Sequence, residues 1–206
     1  MKKLFFWISL IVLAGLMLNI EQPLLQKYDV KIILFFEGIR TEFLNGLFYL
    51  FTEIGSFKVL LPVAIIVSIV LVVKKLYREA FFVMLVFWGV RGANRLLKEL
   101  FERERPSFNA IIEAGSYSFP SGHAMNSTAF LGFLFYLLTH IFKIGKKRLF
   151  IWLAVTIATV TLIAVSRVYL GVHYLTDIAA GACGGYLFLI FIIYLYEFSS
   201  DRKVLV

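Results

Sequence analysis

Three short stretches of this chain hold the residue types needed to bind, attack and release a phosphate. The first is Lys98 with Arg105-Pro106 seven positions on. The second is Pro120-Ser121-Gly122-His123, and the third is Ser166-Arg167 followed by His173 and Asp177. Together they supply three fixed cations, two imidazoles, a small-residue turn with free N–H groups and one carboxylate. A tetrahedral dianion needs that set: donors around its oxygens, a nucleophile on one side and a proton source for the leaving group.

Each stretch also has a local logic. Ser121 stands where an N-cap belongs, and with Gly122 it opens a helix whose first N–H groups form an anion cradle. His123 follows in the first turn, at the water boundary. His173 and Asp177 are four apart, so on one helical turn a carboxylate can hold one imidazole nitrogen, fix the tautomer and leave the other as base or nucleophile. Gly171 frees the chain between Arg167 and His173 to bring both to one point. Arg91, Arg95 and Lys98 lie within about 60° of each other on a helix, a stripe expected to face a polar cavity below the outer mouth. Lys98 and Arg105 are the better anion ligands, because Pro106 ends the helix and redirects the chain.

The elements that position these stretches are apolar. The chain has 206 residues, 61% of them hydrophobic, and a mean hydropathy of +0.87, which excludes an ordinary soluble domain. Six apolar runs, about 4–20, 58–73, 79–97, 123–142, 149–166 and 177–196, each approach the ~20 residues that cross a bilayer as a helix. The expected fold is therefore all-α: six transmembrane helices in one bundle spanning 1–206.

The net charge of +8 is distributed as for a membrane protein rather than a nucleic-acid binder. Lys2, Lys3, Lys74, Lys75, Arg78, Lys143, Lys146, Lys147, Arg148, Arg202 and Lys203 fall at one end of alternating spans. In segment 21–57 at the other end, acidic residues outnumber basic ones. The positive-inside rule places both termini in the cytoplasm and the three stretches on the outer face of the cell membrane.

Segment 21–57 itself carries Leu24, Leu25, Tyr28, Ile32, Phe35, Phe36 and Ile39 at near-helical spacing. It is expected to be an interfacial helix, resting in lipid or capping the bundle, with a turn at Gly55-Ser56 before the second span. Met-Lys-Lys and the first apolar run read as an uncleaved span, since no Ala-x-Ala-like site follows Leu18. Cys183 is a packing residue, Gly181-x-x-x-Gly185 a close helix contact, and His140 an interfacial residue away from the chemistry.

Lys98-x6-Arg105-Pro106, Pro120-Ser121-Gly122-His123 and Ser166-Arg167-x5-His173-x3-Asp177 resemble the three-part signature of the type 2 phosphatidic acid phosphatase superfamily, over a core of about 55–190. Its integral-membrane branch has six spans and includes phosphatidylglycerophosphate and undecaprenyl pyrophosphate phosphatases. The resemblance implies His173 as nucleophile through a phosphohistidine, Asp177 as its partner, and His123 as acid and then base. It implies Lys98, Arg105, Ser121, Gly122 and Arg167 as the phosphate ligands. No metal or other cofactor is implied, and the expected partners are a lipid phosphate and the bilayer, with no nucleic acid. A lipid phosphotransferase using the same residues, or an anionic-lipid carrier using the arginine stripe, are the alternatives.

Overall fold

The structure, a computed structural model, describes residues 2–142 and 145–201. Lys143, Arg202 and Lys203 of the basic end lie outside the described residues. Among the described residues every regular element is an α-helix: α1 (Lys2–Asn19), α2 (Pro23–Gly38), α3 (Glu42–Ile54), α4 (Phe57–Val73), α5 (Tyr77–Phe101), α6 (Gly122–Phe142), α7 (Lys146–Tyr169) and α8 (Leu175–Asp201). Four of them, α5 to α8, are long and apolar enough to cross a membrane singly. Two bent pairs, α1 with α2 and α3 with α4, bring the count to as many as six spans.

The bends resolve segment 21–57 into two helices with different duties. Pro23 starts α2, where a missing N–H costs nothing, and α2 turns 103° from α1. Its Leu24, Tyr28 and Phe35 are exposed, while Asp29 and Ile33 are buried against the bundle. So α2 offers one face to lipid and caps the bundle with the other. Thr41 caps α3 by accepting the Leu44 N–H at 3.2 Å. α3 then runs on into α4 with a 41° bend at the Gly55-Ser56 turn.

The expected spans are present but longer. α5 ends at Phe101, where Glu102 adopts a left-handed conformation (φ 46°) and its N–H bonds the Lys98 carbonyl at 3.0 Å. The helix therefore stops at this cap, four residues before Pro106. Ile66, Phe81, Leu96, Trp152 and Ile157 are exposed on the outside of the bundle, as lipid-facing positions are.

α6 is central, packed against α5, α7 and α8. Its closest neighbour is α8, because Gly181 and Gly185 remove the side chains between them. A Cβ on Gly181 would stand 2.6 Å from the Ser121 carbonyl, and one on Gly185 would collide with the Met125 carbonyl. That contact lets the Ser121 N–H bond the Asp177 carbonyl at 3.0 Å, joining the second and third stretches. The ends of α5 and α7 and the starts of α6 and α8 meet at one end of the bundle. The described basic residues Lys74, Lys75, Arg78, Lys146, Lys147 and Arg148 lie at the other.

Candidate active site

His173 owes its position to the turn between α7 and α8. Gly171 takes φ +78°, a left-handed value that a side chain would strain. The N–H groups of Val172 and His173 then both return to the Arg167 carbonyl, at 3.1 and 3.2 Å. In the first turn of α8, Asp177 accepts the Tyr174 N–H at 2.9 Å on Oδ2. The same oxygen lies 3.3 Å from His173 Nδ1 and accepts the Ser118 hydroxyl at 2.5 Å.

Arg105 settles the tautomer. Its Nη1 is 3.1 Å from His173 Nε2, and a guanidinium can only donate, so Nε2 carries the lone pair and Nδ1 the proton. Burial pushes the His173 pKa down to about 3, against the pull of Asp177 and with Arg105 and Arg167 acting in the same direction as burial. The ring is neutral, its free lone pair facing a cation.

Among the described residues, Lys98, Arg105 and Arg167 around it form no ion pair with a carboxylate. Arg105 bonds the carbonyls of Ser116 (2.5 Å) and Val172 (2.6 Å), and Lys98 bonds those of Tyr117 and Ser118. Arg167, 5% exposed, donates Nη1 to Thr52 Oγ1 at 2.6 Å and leaves Nε buried with no hydrogen-bond partner among the described residues. Carbonyls and hydroxyls satisfy donors without neutralising charge. Ser121 occupies the N-cap position, its carbonyl accepting the Met125 N–H at 3.0 Å, but its buried hydroxyl bonds nothing. The expected capping bond is therefore not made, and the hydroxyl is left free at the cradle beside Gly122. His123, in the first turn of α6, has Arg167, His173, Arg91 and Arg105 within electrostatic reach. Lys98 and Arg105 also line a cavity of about 770 Å³ with Asn94, Ser116 and Tyr117.

A fourth cation behaves differently. Arg103, 8% exposed, spans two carboxylates: Nη1 to Asp177 Oδ1 at 2.7 Å and Nη2 to Asp29 Oδ2 at 2.9 Å. Its guanidinium stacks 4.2 Å above the Tyr174 ring. Burial works against its charge, and Asp177 and Asp29 more than offset that, so its pKa is raised. Asp29 also accepts the Thr176 N–H at 3.0 Å, which pins α2 to the start of α8.

The sequence profile of the PAP2 superfamily matches residues 77–201, from the start of α5 to the end of α8. The chain belongs to the PAP2 superfamily. It is 33% identical over 150 residues to phosphatidylglycerophosphatase B of Bacillus subtilis, covering 72% of this chain and 73% of that protein. Lipid A 4'-phosphatase of Porphyromonas gingivalis is 27% identical over 191 residues, 85% of this chain and 76% of that one. The crystal structure of the transmembrane PAP2 type phosphatidylglycerolphosphate phosphatase from Bacillus subtilis matches with a TM-score of 0.85 at 29% identity, covering 95% of this chain and 96% of that one. Aquifex aeolicus LpxE shares the fold, with a TM-score of 0.64 at 23% identity over 81% of this chain and 95% of that one.

As a PAP2 phosphatase the protein is a membrane-embedded phosphoric monoester hydrolase with lipid phosphates as its substrate class. All eight expected site residues lie at one end of the bundle. The arginine stripe of α5 faces the expected polar cavity in part: Arg95 and Lys98 both line it, and Arg91 does not. Lys98 enters the site, Arg95 is exposed and pairs with Glu99 at 2.8 Å, and Arg91 is wedged between Phe57 and Phe87. Side chains at one helical angle meet different neighbours at different depths.

Sequence reasoning missed Arg103, Asp29, Ser118 and Thr52. The one available signal was a charged Asp29 amid the apolar positions of 24–39. His140 stacks on Tyr136 at the far end of α6, and Cys183 is half-buried in α8, as expected. Among the described residues no three His, Cys, Asp or Glu side chains come together as a metal site.

Proposed function

We propose that the protein, acting as one catalytic unit, hydrolyses lipid phosphates at the outer leaflet through a phosphohistidine on His173. The observation that carries this is a neutral imidazole with its lone pair on Nε2, set beside three cations that have no carboxylate partner among the described residues. A phosphate dianion supplies the missing charge. Lys98, Arg105, Arg167, the Ser121 hydroxyl and the Gly122 N–H bind its oxygens, and Arg105 shifts from Nε2 to an oxygen as phosphate arrives.

Nε2 attacks phosphorus and the bond to the lipid oxygen breaks. His123 gives that oxygen a proton, and Asp177 takes up the charge developing on His173 through Nδ1–H. His123 then removes a proton from water, which attacks the phosphohistidine and releases inorganic phosphate. Basic residues gathered at the opposite end of the bundle favour an outward-facing site. That suits lipid pyrophosphates released on the outer leaflet, such as undecaprenyl pyrophosphate, beside phosphatidylglycerophosphate.

The test is turnover on phosphatidic acid, phosphatidylglycerophosphate and undecaprenyl pyrophosphate. His173→Ala abolishes phosphate release, and His123→Ala costs about 10²–10⁴-fold. Ser121→Ala costs about tenfold, the scale of one hydrogen bond to a charged group. An acid-labile, base-stable phosphoenzyme is trapped in the wild type and absent from His173→Ala. Normal turnover by His173→Ala would sink the mechanism. Phosphate release only after an acceptor lipid is added would make the protein a phosphotransferase.

A further inference from the structure

Arg91 is a cation of the α5 stripe that the mechanism above does not use and, unlike Arg95 and Arg103, it has no carboxylate partner among the described residues. It lies seven residues before Lys98 on α5, about 10 Å deeper along the helix axis. Its guanidinium carbon sits 4.6 Å from the Phe57 ring centre and 4.7 Å from that of Phe87. Nε and Nη2 are buried without a hydrogen-bond partner, and no carboxylate pairs with it among the described residues. Two aromatic faces compensate a desolvated guanidinium only partly. A charge kept inside a span without an anion is costly unless something brings one.

The surroundings point to where that anion comes from. Phe57 opens α4, directly after Gly55-Ser56, and a Cβ on Gly55 would stand 3.3 Å from His123 Cδ2. The α3–α4 bend therefore links Arg91 to the imidazole that protonates the leaving group. Two more buried polar atoms, Ser56 Oγ next to Phe57 in the chain and Asn126 Oδ1 one turn after Gly122, also lack partners among the described residues. A lipid whose phosphate is held at Lys98 and Arg105 directs its leaving group down past His123 into the bilayer. Arg91 acts electrostatically on His123, so a leaving group that takes its proton from His123 comes within range of its charge.

We propose that Arg91 binds a second phosphate carried by the leaving group, and so selects lipids with two phosphates over simple phosphomonoesters. This rests on the hydrolase reading above and adds the residue that sets the preference between such lipids and simple phosphomonoesters. Two lipid types share that chemistry: an isoprenoid pyrophosphate, and a phosphatidylglycerophosphate, whose leaving group holds a phosphodiester. For a pyrophosphate, the Nε2–P bond forms, the P–O–P bridge breaks, and the electron pair stays on the departing phosphate. Arg91 neutralises the charge gained there. A departing phosphate needs protonation less than a departing alkoxide does, so His123 matters less for this substrate.

The full chain in detergent decides it, with farnesyl pyrophosphate against farnesyl phosphate, and phosphatidylglycerophosphate against phosphatidic acid. Arg91→Met lowers kcat/KM on farnesyl pyrophosphate by about 10²-fold and on farnesyl phosphate by less than about tenfold. Arg91→Lys recovers part of the difference, and His123→Ala costs more on the monophosphate. A parallel loss on the phosphatidyl pair identifies the phosphodiester as a second occupant, whereas a loss on the farnesyl pair alone restricts the subsite to pyrophosphates. Equal loss on both farnesyl substrates, or none on either, overturns the proposal. Inactivity of the wild type on all four lipids would instead overturn the hydrolase reading. Inhibition of the wild type supplies a check free of any variant: inorganic pyrophosphate binds more tightly than phosphate, and equal inhibition also overturns the proposal.

Discussion

Arg103 and Arg167 are both buried at the site end of the bundle, 8% and 5% exposed, yet their surroundings are opposite. Arg103 lies between Asp29 and Asp177, with a carboxylate on each side. Arg167 has a threonine hydroxyl on one nitrogen and, among the described residues, no partner on another. A buried charge with its counter-ions belongs to the framework, because removing it strands them. A buried charge without one is held in place by the rest of the fold and becomes neutralised only when an anion binds. The difference divides the site into a part that holds Asp177 and α2 in place and a part that waits for phosphate.

The largest effect expected from this division is on folding. Arg103→Met leaves Asp29 and Asp177 facing each other without a cation, at a cost of about 3–5 kcal/mol. Thermal unfolding in detergent should show that loss, and adding Asp29→Asn to the same chain should restore part of it. Wild-type stability in Arg103→Met would break the comparison at its stronger end.

The second effect falls on catalysis instead. Arg167→Met removes a charge that no carboxylate among the described residues pairs directly, so the Thr52 hydroxyl loses its partner, worth about 1 kcal/mol. Phosphatase kcat/KM should fall about 10²–10³-fold, the scale of one lost transition-state donor, with little change in melting temperature. A stability loss matching that of Arg103→Met would show that Arg167 belongs to the framework after all.

These two arginines also mark how much the sequence could disclose. Arg167, Lys98, Arg105 and the two histidines were legible because their types and spacing repeat a signature, and the spans because a bilayer demands long apolar runs. That α8 makes a close helix contact was legible in Gly181 and Gly185, though not that its partner is α6. Arg103 was not, since its meaning depends on Asp29, 74 positions away, being carried onto the bundle by the 103° turn of α2. Nothing local encodes that turn's direction. The α5 stripe misled at Arg91 for a related reason: a shared helical angle says nothing of whether the neighbour is a polar cavity, as for Arg95 and Lys98, or the Phe57 and Phe87 rings.

The smallest expected effect tests which side of the division His173 stands on, through its sign. The folded pKa of about 3 lies below the 6.5 of an ordinary histidine, with burial as the main cause. Above pH 6.5 the ring is neutral in both folded and unfolded chains and stability is unaffected. As pH falls from 6.5 toward 3, the unfolded chain takes up a proton that the folded one refuses, so stability is lost across that window. At pH 5 the loss is about 2 kcal/mol. His173→Gln removes this contribution while other titrating groups remain, so its melting temperature should fall less than the wild type's between pH 7.5 and pH 5. If His173 were instead held as an imidazolium paired with Asp177, its folded pKa would be raised. Acid would then favour the wild type over the variant. Arg103 already occupies Asp177 Oδ1, and the Ser118 hydroxyl and Tyr174 N–H crowd Oδ2. That leaves the carboxylate little capacity to hold a resting imidazolium, and the lone pair on Nε2 stays available for phosphorus.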